Sequence, residues 1–145
     1  MSQQRYVNTF EDDTRLALEQ AVKFSWNCQQ LDGHWVAPLS SHATCTAQYV
    51  MLKYATPGLS LEEDGNAIRQ WLLEDQTEDG SWTLAPGLPG NVSTTVEAYL
   101  ALKLLGVSAS HSAMERARDF VLSKGGAARV QFFTRFFLAM FGLVP

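Results

Sequence analysis

The sequence predicts an all-α chain of six helices paired into three antiparallel hairpins, and three observations carry that reading. The first is a repeated motif. Gln29-Gln30-Leu31-Asp32-Gly33-His34-Trp35 and Gln76-Thr77-Glu78-Asp79-Gly80-Ser81-Trp82 share Gln, Asp, Gly and Trp at one offset of 47 residues. Four matches at one offset, two of them Trp, mark an internal repeat. The second is a longer echo: Ala21-Val22-Lys23-Phe24 recurs as Ala117-Arg118-Asp119-Phe120, two repeats further on. The third is an alternation. The first, third and fifth helical segments are amphipathic, while the second, fourth and sixth are apolar on most sides and need cover on both faces. Outer and inner helices of stacked hairpins have that pattern.

In chain order, residues 1–13 read as a polar, flexible N-terminal segment, and the first helix is expected near 14–29. The cluster Glu11-Asp12-Asp13 would then sit just before the positive end of that helix. The first motif follows, and Val36 to Ser40 reads as a loop around Pro38. A second helix is expected near 42–55, ended by Pro57-Gly58. Ser60-Leu61-Glu62-Glu63 has the form of a capping box opening a third helix near 61–76. The second motif and a Pro/Gly loop, Leu84 to Asn91, lead to a fourth helix near 92–105. Gly106 is its expected C-cap. Asn91-Val92-Ser93 matches a glycosylation sequon but reads as a helix-capping turn. Ser112-Ala113-Met114-Glu115 is a second capping box, opening a fifth helix to about Lys124. Gly125-Gly126 stops it. A sixth helix is expected near 128–142, rich in phenylalanine.

Each copy of the motif reads as a clasp between consecutive helices. The Asp-Gly pair is expected to stop the helix, because Gly accepts the left-handed conformation of a C-cap. The Gln amide donates and accepts at once, so it is expected to tie an orphan helix-end carbonyl to the next segment. The Trp is expected to lie over that amide and bury a large apolar face. The structural site residues are therefore Gln29, Asp32, Gly33, Trp35, Gln76, Asp79, Gly80 and Trp82. Lys124-Gly125 stands where a third clasp would fall. Arg129 and Arg135 lie in an otherwise apolar helix, and a buried Arg wants a carboxylate; Glu97 is the expected partner of Arg135.

Composition narrows the function. The 145 residues suffice for one domain with a core. A hydrophobic fraction of 46% with 18% charged residues is globular. A net charge of −4 argues against a nucleic-acid partner. No apolar run has the length of a bilayer-spanning helix, and Met1 to Thr14 lacks the apolar core of a signal peptide. An intracellular location is expected, with Cys28 and Cys45 as reduced thiols. The sixteen aromatic residues could line a lipid cavity, but core packing is the simpler reading.

Gln-x-x-Asp-Gly-x-Trp, with an aromatic five positions before the Gln (Phe24, Trp71), resembles the repeated Gln-Trp motif of class II terpene cyclases, and squalene–hopene cyclase above all. The similarity extends to Thr94-Thr95-Val96-Glu97-Ala98-Tyr99-Leu100-Ala101-Leu102-Lys103 and to Gly125-Gly126 followed by Phe133-Thr134-Arg135. It covers residues 14–145. The resemblance implies a fold of two α/α barrels (toroids), of which this chain is about half of the non-catalytic one. It implies a cofactor-free reaction on squalene or another polyprenyl substrate: an Asp-x-Asp-Asp acid protonates a terminal alkene, and aromatic faces hold the cation. The chain contains no Asp-x-Asp-Asp, so no catalytic residue is expected here. An N-terminal fragment, inactive alone, is expected to need the C-terminal barrel as partner. The full-length form is expected to touch membrane peripherally through regions outside this stretch.

Two other readings stand beside it. One is a stand-alone α/α-hairpin scaffold that binds an apolar lipid or a partner protein and self-associates through exposed apolar helices. The other is a relative of the zinc-binding protein prenyltransferase β-subunits. Cys28, His34, His42 and Cys45 are its only possible ligands, and their spacings include neither Cys-x-x-Cys nor a helical His pair. No metal is therefore expected.

Overall fold

The computed structural model describes residues 2–36 and 41–145, with side chains from Phe10 onward. The loop expected around Pro38 lies outside the described residues. The described part is helical, with six α-helices and one 3-10 turn, and the chain forms two compact units, Met1–Ser40 and Ser41–Pro145.

In the first unit, α1 is Ser2–Asn27. It starts twelve residues before the expected boundary. No Gly or Pro interrupts Ser2–Asn27, and without a breaker the polar residues there carry little helix penalty. The acidic cluster therefore lies inside the helix and does not compensate its positive end. Asp12 instead accepts a hydrogen bond from Arg15 one turn on, at 2.9 Å.

The second unit contains α2 (Ala43–Ala55), α3 (Gly65–Glu74), α4 (Val92–Leu104), α5 (Ser112–Ser123), a 3-10 turn (Gly126–Arg129) and α6 (Phe132–Met140). It is arranged around α4. That helix touches α2, α3, α5, the 3-10 turn and α6, and Ser93 to Ala98 and Leu100 to Leu102 are all buried. Its sequence permits this, because Glu97 and Lys103 are its only charged residues. The expectation of cover on both faces holds for α4 but not for its neighbours. α2 buries Ala43, Ala47, Val50 and Met51 yet exposes Leu52 and Tyr54. α6 buries Thr134 and Leu138 and exposes Phe132, Phe133, Phe136 and Met140. α6 leans mainly on α4, so its far side has nothing to pack against within the unit. Core packing therefore accounts for Trp82 and Phe120 but not for most of the aromatic residues.

The helix ends show which local signals hold. Asn91 caps α4, its side chain accepting the Thr94 N–H at 3.0 Å. Past the other end Gly106 has φ +82°. Its N–H reaches the Lys103 carbonyl and the Val107 N–H reaches that of Leu102, a Schellman closure. The two expected capping boxes do not form. At α5 the cap is His111, whose Nδ1 accepts the Ala113 N–H at 3.2 Å. At α3 the Ser60 hydroxyl accepts from Glu62 N–H in a turn, and the helix starts only at Gly65. The sixth helix is broken: Val130 and Gln131 are extended, and the Gln131 N–H donates to Ser93 Oγ at 2.8 Å. That side-chain acceptor on α4 replaces a helical one, so the chain turns there. Between α2 and α3, Asp64 accepts from the Tyr49 hydroxyl and from Lys53. The Tyr49 hydrogen bond holds its carboxyl below the usual carboxylate range.

Candidate functional site

Around Gln76 the chain forms a tight turn after α3. The Gly80 N–H donates to the Thr77 carbonyl and the Thr77 N–H to that of Ser81, each at 3.0 Å. Gly80 has φ +83°, and a Cβ on it would lie 2.6 Å from the Arg116 carbonyl carbon of α5. The position thus needs Gly for conformation and for space. Asp79 stiffens the turn by accepting from Ser81 N–H, Ser81 Oγ and Thr77 Oγ1. Those hydrogen bonds, Ser81 first, hold its carboxyl below the ordinary value.

Gln76 joins this turn to α5. Its Nε2 donates to the Gly80 carbonyl at 2.9 Å and to the Ala113 carbonyl at 2.8 Å. Its Oε1 accepts from Arg116. Trp82 is fully buried, and its indole N–H donates to the Leu72 carbonyl at 2.9 Å. Leu72 lies in the last turn of α3, where carbonyls lack helical partners. The Trp82 backbone N–H donates to Thr95 Oγ1 at 3.1 Å, and its carbonyl accepts the Asn91 N–H at 2.9 Å. One residue therefore ties the end of α3 to the start of α4.

Two expectations about the clasp are corrected here. The orphan helix-end carbonyl is taken by the Trp, not by the Gln, because the indole N–H is the donor that lies under the last turn. The Asp-Gly pair does not end the helix: α3 ends at Glu74, and Gly80 serves the turn that follows.

The first copy builds the same skeleton within its own unit. The Gly33 N–H donates to the Gln30 carbonyl and the Gln30 N–H to that of His34, each at 2.9 Å. Gly33 has φ +90°. Gln29 Nε2 donates to the Gly33 carbonyl at 2.7 Å. The Trp35 indole donates to the Ser25 carbonyl at 2.6 Å, and Ser25 precedes Leu72 by the same 47 residues. Asp32 pairs with His34 Nδ1 in place of the hydroxyl network of the second copy. Trp35 remains 52% exposed and packs its ring at 5.8 Å from that of Trp26.

A recess of about 370 Å³ beside α4 brings together residues that sequence reasoning did not group, among them His42, Gln48, Glu97, Thr134 and Phe137. Glu97 is 3% exposed. Gln48 Nε2 donates to its Oε2 at 2.9 Å, and the Thr134 hydroxyl donates to Oε1. The expected Glu97–Arg135 pair does not exist: Arg135 is exposed, as is Arg129, and the adjacent Thr134 faces the carboxylate instead. The one-residue step turns the neighbour outward on the helix. Gln48 is one of several polar residues of α2, with Thr44, Thr46 and Lys53, so no sequence signal singled it out. His42 Nδ1 is buried without a partner among the described residues. The recess thus has a carboxylate held by neutral donors and an apolar rim of Leu84, Phe133 and Phe137. Such a wall can orient water or accept from a polar ligand.

Among the described residues no three His, Cys, Asp or Glu side chains gather as a metal site. Cys28 is half-buried and Cys45 is exposed; both are free thiols. No described helix is long and apolar enough to cross a membrane.

Comparison with known proteins matches residues 18–145 to the squalene-hopene cyclase N-terminal domain. The enfumafungin synthase of Hormonema carpetanum is 65% identical over 137 residues, covering 94% of this chain and 10% of that protein. The squalene hopane cyclase of Aspergillus fumigatus is 41% identical over 140 residues, covering 93% of this chain and 18% of the relative. The squalene–hopene cyclase of Alicyclobacillus acidocaldarius is 40% identical over 128 residues, covering 88% and 20% respectively. The chain thus spans a tenth to a fifth of the length of these relatives.

Proposed function

The chain belongs to the squalene–hopene cyclase family, and from that premise we propose that it forms the opening half of the non-catalytic α/α barrel of a triterpene cyclase. In the full-length protein the reaction is the proton-initiated carbocationic cyclisation of squalene or a similar linear polyprene, without a cofactor. An acidic group kept protonated starts it, and aromatic faces stabilise the cation. The chain itself has no Asp-x-Asp-Asp, so it is inactive alone and its partner is the C-terminal barrel. Its location is intracellular, with peripheral membrane contact through regions outside this stretch.

The observation that carries the reading is the family match over residues 18–145. The second clasp supports it, because it ties α3 to α4 and α5, and the first repeats its turn and its indole–carbonyl bond at one spacing, as a ring of repeats requires. The phenylalanines and Met140 exposed on α6 form the apolar surface that further helices would bury. The same surface supports a second reading, an apolar-lipid or partner-binding scaffold that self-associates.

A chimera separates the two. The 145 residues replace the matching segment of the Alicyclobacillus acidocaldarius cyclase, and the product is incubated with squalene. We expect cyclised triterpene from the chimera and none from the chain alone. A folded chimera with helical content and cooperative melting but without product would refute the cyclase reading.

A further inference from the structure

We propose that the groove between α4, α5 and the 3-10 turn binds a free fatty acid, its carboxylate held by Arg118 and Tyr99 and its chain laid along apolar walls. The proposal stands apart from the cyclase reading. The groove has a volume of about 270 Å³, and Val96, Tyr99, Arg118, Val121, Leu122 and Ala127 are among its lining residues. Apart from the Arg118 head group and the Tyr99 hydroxyl, these side chains carry no polar atoms. Both polar groups lack a hydrogen-bond partner among the described residues. The nearest carboxylate to Arg118 is its neighbour Asp119, at 3.6 Å, too long for a hydrogen bond.

A guanidinium presents several donors in a planar fork that matches a carboxylate, and a phenol adds one more. An acyl chain would cover Leu122, which is 63% exposed. Charge favours an anion here, because Arg118 is the one charged side chain among the groove's lining residues. A neutral or cationic amphiphile would gain no charge-assisted hydrogen bond from the guanidinium.

The 145-residue chain is titrated calorimetrically with decanoate below its micelle concentration, with decanol and decyltrimethylammonium as comparators. Decanoate is expected to bind at one site and more tightly than either comparator. Arg118→Gln is expected to weaken it about tenfold, the loss of one charge-assisted hydrogen bond. Ala127→Phe is expected to abolish binding by filling the groove. Equal affinity for decanol, no decanoate binding, or an Arg118→Gln affinity equal to that of the parent would each overturn the proposal. So would capture of anionic vesicles without binding of free decanoate. Arg118 is surface-accessible, so its variant keeps the test decisive should Ala127→Phe fail to fold.

Discussion

Replacing Trp82 by alanine removes the largest fully buried side chain of the second unit, and its cost can be worked from what the ring touches. A buried Trp or Phe cut to Ala costs about 3–5 kcal/mol through lost burial and the cavity left behind. The indole N–H also satisfies the Leu72 carbonyl, and losing one such hydrogen bond adds about 1 kcal/mol. The opened cavity gives water a route to the freed carbonyl, which offsets part of that term. A total of about 4 kcal/mol is expected, a large share of the roughly 5–15 kcal/mol that holds a domain together. Trp82→Phe keeps most of the apolar area and loses the donor, so about 1–2 kcal/mol is expected. The first clasp provides an internal control. Trp35 makes the equivalent bond, to Ser25, but is 52% exposed, and Trp35→Ala should cost about 1 kcal/mol. The assay is urea unfolding followed by helical circular dichroism, in which a loss of about 4 kcal/mol lowers the midpoint by about 2 M. A Trp82→Ala loss below about 1 kcal/mol, or one equal to that of Trp35→Ala, would refute the reasoning that the second clasp joins α3 to α4.

Three other expectations follow from the same contacts. Gly80→Ala sets a Cβ against the Arg116 backbone at a positive φ and should cost about 2–4 kcal/mol. Gly87→Ala, at a similar φ but in open space, should cost only about 1–2 kcal/mol, and equal melting shifts for the two would show that the close approach is unimportant. Glu97→Gln presents an amide to two donors and should lower stability by about 1–3 kcal/mol, whereas Arg135→Gln should stay within about 0.5 kcal/mol; the reverse order in thermal melts would restore the Arg135 pairing. Asp79 has a folded pKa below its unfolded one. Its contribution is therefore fully present above the unfolded value of about 4 and lost as pH falls through the lower folded value. Asp79→Asn should flatten the acid limb of a melting-temperature profile and leave its alkaline limb unchanged; identical acid limbs would mean that the turn does not depend on the carboxylate.

Much of the secondary structure was readable, because its signals act over a few residues. The apolar stretch around Ala98 and Leu102 marks α4, Gly106 marks its end, and Asn91 its start. Boundaries failed where a local signal met a competitor. The polar segment before Thr14 carries no apolar period, yet with no breaker in it α1 continues back to Ser2. Ser112 has the right spacing for a cap, but His111 stands one residue earlier and its ring nitrogen takes the N–H. The Gln131 N–H finds Ser93 on another helix, and no window of sequence around Gln131 contains that acceptor.

By itself the sequence determined the helical class, the repeat at 47 residues and the family. Each of these depends on residue type and spacing, which survive in a linear string. The tertiary structure alone decided which clasp residue takes the helix-end carbonyl, which helix is enclosed, and what holds Glu97. Those outcomes depend on which atoms from distant stretches come within about 3 Å of one another. A hydrogen bond is that short-ranged, so one residue's step around α6 was enough to exchange Arg135 for Thr134.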